Sequence, residues 1–196
     1  MKRGEEIFHI YLFRHGQTTY NEKKIFTGWK DAKLTKNGIK SAKIIAKKLK
    51  DKKIQVAFHT RLSRSKDTLR EVLRYHPECR IIIEDDRMIE RSYGGLQGTK
   101  HSTFISKNGR ELFDKYHRSY GVAPPRGESI KMVEKRVNRF IKDLLFFIKK
   151  NRVNVAISAH GNSMRPFRRY FEKASIKEMM GWEMPYDNYF VYRLKV

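Results

Sequence analysis

The sequence predicts an α/β protein of three layers, a mostly parallel sheet with helices on both faces. Two observations carry this expectation. Apolar runs of strand length alternate along the chain with longer stretches whose apolar residues recur at helical spacing. The first run, residues 7–13, is almost continuously apolar, as a strand covered on both sides must be. A polar loop rich in Gly, Thr and Asn follows it. Thr35 then suits an N-cap, because its hydroxyl can accept from an amide of the first helical turn. The helix it opens carries Ile39, Ala42, Ile45, Ala46 and Leu49 on one face. Residues 54–58 read as a second strand. Residues 62–75 read as a helix with Leu62, Leu69, Val72 and Leu73 inward, and residues 81–83 as a third strand.

Residues 94–125 are irregular, Gly-spotted and aromatic, with helical stretches around 104–116 and a stop at Pro124-Pro125. A long helix over 129–150 presents Met132, Val133, Val137, Phe140, Ile141, Leu144, Leu145 and Ile148 as a buried stripe. A strand over 153–159, a helix from near Asn162 and a closing strand over 189–194 complete the order. There is no internal repeat, and 196 residues suit one core. The whole chain is therefore expected to be a single domain, with 94–125 as an excursion that covers the substrate.

Lys and Arg number 44 against 21 Asp and Glu, a formal charge of +23. Lys40, Lys43, Lys47, Lys48 and Lys50 surround the apolar stripe of the first helix, the pattern of a solvated face. Steering of small anionic substrates follows from such a charge. A nucleic-acid-binding module would need a clustered basic face, and these lysines are dispersed. The lone cysteine, Cys79, excludes an intramolecular disulfide and predicts a reducing, cytoplasmic setting. Met1-Lys2-Arg3 ahead of residues 7–13 mimics a secretion signal, but Glu5, Glu6 and His9 interrupt it and no cleavage site follows. The longest other apolar run, residues 144–148, is far short of a membrane span, so no membrane is expected.

In sheets of this kind ligands sit beyond the carboxyl ends of the strands. Two strands end there in His-Gly: Arg14-His15-Gly16, and Ser158-Ala159-His160-Gly161-Asn162. Each glycine stands where the backbone must turn tightly or approach a ligand. Of the seven histidines, only these two share that placement. His9 reads as core, His59 and His76 as surface or capping residues, and His101 stays open. No carboxylate is spaced beside either corner as a metal ligand would be, so zinc and magnesium are not expected. A neutral imidazole is a competent nucleophile, and arginines stabilise a transferring phosphoryl group. The residues thus point to a phosphoryl group handled by the histidines of these two corners, one of them serving as nucleophile. Amides at the start of the helix near Asn162 would add positive charge.

Several blocks in order carry a family resemblance: Phe13-Arg14-His15-Gly16-Gln17-Thr18-Thr19-Tyr20-Asn21, Phe26-Thr27-Gly28-Trp29, Thr60-Arg61-Leu62-Ser63-Arg64-Ser65, Glu90-Arg91-Ser92-Tyr93-Gly94-Gly95-Leu96-Gln97-Gly98, and Ala159-His160-Gly161-Asn162-Ser163. Over nearly the whole chain the sequence resembles the histidine phosphatase superfamily, and within it the cofactor-dependent phosphoglycerate mutases. The resemblance implies His15 as the phosphorylated nucleophile, Arg14, Arg64 and His160 as the clamp around the phosphoryl group, and Glu90 as general acid–base. It implies Asn21, Thr27, Gly28 and Asn162 as polar contacts, and 2,3-bisphosphoglycerate as the cofactor that primes His15. Taken alone, Arg64 would pass for an exposed helix residue, and Glu90 for a partner of Arg87 or Arg91.

Membership of the superfamily leaves mutase and broad phosphomonoesterase both open. Tyr93-Gly94-Gly95-Leu96 and the stretch from His117-Arg118 to Pro124-Pro125 resemble the substrate-binding segments of the mutases, and favour that activity. Arg118 matches the second of two arginines common there, while His117 replaces the first with a group whose charge depends on pH. Lys100 matches the family's substrate lysine only with a one-residue shift. The chain lacks a longer insertion after Pro125 and ends at Val196 just after the last strand. A site more open to water, with some phosphatase leakage, is expected from both. The third strand is where a second copy would pair in a homodimer, as the family often does.

Overall fold

The computed structural model describes residues 5–196. Met1, Lys2 and Arg3, part of the segment weighed above as a leader, lie outside them. Strands β1 (Ile7–Arg14), β2 (Val56–His59), β3 (Ile81–Glu84), β4 (Val155–Ala159) and β5 (Tyr189–Lys195) form one sheet in the order β3-β2-β4-β1-β5. The β1–β4, β2–β4 and β2–β3 pairs are parallel, and β5 runs antiparallel to β1. The mostly parallel α/β sheet expected from the sequence is what forms.

Side chains alternate across a strand, so a strand apolar at every position serves two cores. On one face Ile10 and Leu12 of β1 pack with Val155 and Ile157 of β4 beneath α6 (Ile130–Asn151) and α7 (Gly161–Glu172). On the other, Tyr11 and Phe13 pack with Ala57 and Ala156 beneath α2 (Lys36–Leu49) and α3 (Ser63–Leu73). Ile10, Leu12 and Phe13 are fully buried, each worth roughly 1.5–3 kcal/mol relative to exposure.

Helices α2 and α6 begin where their caps place them. The Thr35 hydroxyl accepts from the Gly38 amide at 3.0 Å, and that of Ser129 accepts from Met132 at 3.2 Å. The predicted elements are all present, with ends moved by up to three residues. Residues 101–118 form α4 (His101–Asn108) and α5 (Arg110–Arg118), separated by Gly109 at φ +84°. Two short helices were not foreseen: α1 (Thr19–Glu22) and α8 (Ile176–Gly181). Two of the histidine assignments change. His76 is buried with Nδ1 3.2 Å from Glu78 Oε1, rather than a surface residue, and His9 is half-buried, stacked on Tyr11. No helix among the described residues is long and apolar enough to cross a membrane.

Candidate active site

The register of the sheet builds the site. Arg14 of β1 lies beside Ala159 of β4, and the His15 amide donates to the Ala159 carbonyl at 3.0 Å. The next residues, His15 and His160, therefore leave the sheet together, with ring centroids 5.0 Å apart. His15 Nδ1 lies 2.7 Å from the Gly16 carbonyl oxygen. A carbonyl can only accept, so Nδ1 carries the proton and Nε2 keeps the lone pair. His15 is 2% exposed, and burial together with Arg64 and Arg14 drives its pKa well below 6.5. The imidazole is neutral at physiological pH.

Arg64 reaches this corner from the first turn of α3, which is riveted to both strands. Ser65 Oγ donates to the Ser158 carbonyl at 2.8 Å, and Ser158 Oγ donates back to the Ser65 carbonyl at 2.9 Å. Thr68 Oγ accepts from the Gly16 amide at 3.0 Å and donates to the Arg64 carbonyl at 2.8 Å. Arg64 is 1% exposed and donates to the carbonyls of Gly28 (2.7 Å) and Lys30 (2.9 Å). Burial lowers its pKa to about 10, which leaves it charged. It is no exposed helix residue. Arg14 donates to the Met184 carbonyl at 3.0 Å and lies 4.1 Å over the Tyr186 ring.

Glu90 pairs with neither Arg91 nor Arg87 through a guanidinium. Its Oε1 accepts the amides of Arg91 (2.7 Å) and Asn162 (3.2 Å), the latter at the N-terminus of α7. That amide, expected to face a phosphoryl group, is thus engaged by Glu90. Arg87 pairs instead with Asp85 and Asp143. His160 Nε2 lies 2.8 Å from Thr60 Oγ, and its pKa too is lowered well below 6.5, chiefly by burial.

The glycines of the two corners differ. A Cβ on Gly16 would come 2.2 Å from the Gly38 carbonyl oxygen, so this glycine permits close approach to α2. A Cβ on Gly161 would meet the Arg14 guanidinium first, at 3.5 Å, an ordinary contact. Folding also supplies the carboxylate companion that spacing in the sequence did not reveal. Ligand atoms of His15, Glu90 and His160 lie within 4.8 Å of one another. Arg14 and Arg64 beside them make the locus electropositive, which favours an anion over a metal cation.

These groups open into a cavity of about 380 Å³ lined by Arg14, His15, Arg64 and Glu90 together with Asn21, Thr27, Gly28, Tyr93, His117, Arg118 and Asn162. Asn21 also closes α1, since its Oδ1 accepts from the Thr18 amide and hydroxyl at 3.0 and 2.9 Å. Lys100 does not line the cavity. It is exposed and bridged to Ile25 through the backbone, and its neighbour His101 lines the wall instead. Adjacent residues leaving an extended bridge point to opposite sides. His117 has its pKa lowered to about 4, first by burial and then by His101 and Arg118, so it contributes no charge at neutral pH. Arg118 is charged, but its side chain is 71% exposed.

Sequence reasoning missed Arg165 and the wall formed by Met180, Gly181, Trp182, Glu183 and Met184. Arg165 had a signal, because three residues after Asn162 on a helix it shares that residue's face. The wall had none, since it reaches the site only through the packing of α8 and the segment after it.

The family model of the histidine phosphatase superfamily (branch 1) matches residues 10–196. A 2,3-bisphosphoglycerate-dependent phosphoglycerate mutase of Parvibaculum lavamentivorans is 36% identical over 189 residues, covering 94% of this chain and 90% of that protein. Among solved structures, Bacillus stearothermophilus YhfR superposes with a TM-score of 0.82 at 21% identity, covering 94% of this chain and 90% of its own. The α-ribazole phosphatase of Shigella flexneri superposes with a TM-score of 0.81 at 19% identity, covering 94% and 89%. Both structures share the fold described above.

Proposed function

The chain belongs to the histidine phosphatase superfamily, and within it we propose that the protein is a 2,3-bisphosphoglycerate-dependent phosphoglycerate mutase, interconverting 3-phosphoglycerate and 2-phosphoglycerate through a phosphohistidine at His15. One observation carries the proposal. A neutral His15 among Arg14, Arg64 and His160 shares its cavity with a second set of polar groups, Tyr93, His117, Arg118 and Asn162, suited to holding an acceptor. The 36% identity to a mutase over nearly the whole chain supports it.

Buried nitrogens test the fit of the priming cofactor. Arg14 Nε, Arg64 Nε and His160 Nδ1 near His15, and Arg165 Nε and His117 Nδ1 elsewhere on the wall, have no hydrogen-bond partner within the protein. Unpartnered arginine and histidine nitrogens spread over the cavity wall fit a ligand with more than one anionic group. When bound, 2,3-bisphosphoglycerate supplies the phosphoryl group that primes His15. The residues then divide the work. His15 Nε2 attacks phosphorus as the P–O bond breaks, and Arg14, Arg64 and His160 hold the equatorial oxygens. With Thr60 Oγ–H donating to His160 Nε2, the Nδ1 proton of His160 is the one offered to the phosphoryl group. Glu90 delivers a proton to the departing oxygen and takes one from the attacking hydroxyl in the return step.

The competing outcome is hydrolysis, favoured by an Arg118 that stands largely in solvent and a His117 that is neutral. Conversion of 3-phosphoglycerate to 2-phosphoglycerate, with and without 2,3-bisphosphoglycerate and alongside phosphate release, decides between them. We expect isomerisation that depends on the bisphosphate, with slower phosphate release. Phosphate release with no isomerisation would overturn the mutase assignment and leave a phosphomonoesterase.

A further inference from the structure

We propose that Arg165 is a specificity-determining binding residue, holding the anionic group, a carboxylate, at the end of the substrate away from the transferring phosphoryl. The inference rests on the small phosphorylated acid proposed above as substrate. Four arginines line the cavity. Arg14 and Arg64 are the cations that depress His15 and belong to its clamp. Arg118 sits at the end of α5 with a side chain 71% exposed and only a 3.8 Å contact to Asp114. Water and salt screen such a cation, and it discriminates weakly between ligands. Arg165 is different.

It projects from the second turn of α7, and its charge acts on Tyr93 and His117. Its guanidinium is oriented from two sides. One terminal nitrogen donates to Asn162 Oδ1 at 2.8 Å, the other to the Trp182 carbonyl at 2.9 Å. Its Nε is buried and unpartnered within the protein. Its charge lies near Glu90, with Tyr93 and Arg14 also within its field, and both of its terminal nitrogens are held by neutral oxygens instead of a carboxylate. A fixed, largely desolvated guanidinium with a free N–H is the residue type that binds a planar carboxylate most selectively. With His117 neutral at pH 7, Arg165 is the half-buried permanent cation that acts on Tyr93 and His117.

A pair of ligands isolates the effect, since 3-phosphoglycerate and glycerol 3-phosphate differ by a carboxylate against a hydroxymethyl group. Calorimetric titration gives the ratio of their Kd values for wild type, Arg165→Met and Arg165→Lys. We expect wild type to prefer 3-phosphoglycerate, Arg165→Met to lose about tenfold or more of that preference, equivalent to about 1.4 kcal/mol, and Arg165→Lys to fall between. If Arg165 only braces Asn162 and the Trp182 segment, Arg165→Met weakens both ligands together and the ratio stays within about twofold; that result overturns the proposal. So would a wild type with no preference. The titration needs no turnover. A wild type that discriminates yet fails to isomerise would therefore sink the mutase assignment and leave the role of Arg165 standing.

Discussion

At the scale of single residues, the proton on His15 decides what the site can do. The Gly16 carbonyl fixes Nδ1 as the protonated nitrogen, and burial beside Arg64 and Arg14 keeps the ring from taking a second proton. A histidine whose folded pKa lies below 6.5 stays neutral as pH falls through that value and is lost as a nucleophile only lower down. We expect the acid limb of kcat/KM that belongs to His15 to lie below pH 6.5, once the substrate's own ionisation is subtracted. A limb for His15 above pH 6.5 would mean that the clamp does not act on it as the geometry requires. His15 and His160 were legible in the sequence because each ends an apolar run, and strand direction alone brings such residues to one edge. Arg64 and Glu90 were legible only through resemblance, since nothing local separates a buried helix arginine from an exposed one. Tyr186, which stacks on Arg14, left no local trace because the chain returns to the site after a long detour.

At the scale of elements, the site depends on close contacts between segments that the sequence pattern treats as independent. The turn after β1 and the first turn of α2 are in backbone contact. Besides the 2.2 Å approach described for Gly16, a Cβ on Gly38 would come 2.1 Å from the Gln17 carbonyl oxygen. Backbone cannot yield as a side chain tip can, so Gly16→Ala and Gly38→Ala should each cost about 1–3 kcal/mol in denaturant unfolding. The Gly16 variant should also lose activity, because His15 moves with it. Behind Glu90, Arg136 of α6 donates to both oxygens of Glu128 (3.0 and 3.1 Å) and to the carbonyls of Arg87 (2.7 Å) and Glu90 (3.0 Å). Glu128 in turn accepts the Ser92 amide at 2.9 Å. Both side chains are only about one-seventh exposed. Arg136→Met leaves the Glu128 carboxylate without its counter-ion, and should destabilise the protein by about 3 kcal/mol in the same unfolding experiment. An Arg136→Met/Glu128→Gln double variant should recover part of that loss, since no unpaired charge remains. Failure of the double variant to recover any stability would show that the pair does not act as a unit.

At the scale of the whole molecule, alternating periodicity was sufficient to fix layers and chain order, because each strand such as β1 feeds two cores and each helix must cover one of them. The sheet order was less visible, since it depends on where each crossover returns and not on any one segment. The charge of +23 also becomes intelligible only when folded. Lys36, Lys40, Lys43, Lys47 and Lys50 of α2 and its C-cap are exposed outside one face of the sheet, while Lys131, Lys135, Arg139, Lys142, Lys149 and Lys150 of α6 are exposed outside the other. A nucleic-acid surface needs its basic residues on one side, and these lie on opposite sides. What a charge distributed over both helical layers does produce is a long-range positive potential, and the cavity at the strand ends adds Arg14, Arg64, Arg118 and Arg165 to it. Capture of an anionic phosphorylated substrate should therefore depend on ionic strength even though the lysines lie outside the cavity. Raising salt from about 20 mM to about 300 mM shortens the screening length from roughly 20 Å to roughly 6 Å, and kcat/KM should fall several-fold while kcat holds. A triple variant, Lys40→Gln, Lys43→Gln and Lys47→Gln, should reduce that salt dependence with kcat unchanged. If kcat/KM instead proves insensitive to salt in wild type, the surface lysines serve only to solvate the helices, and capture is governed by the arginines within the cavity.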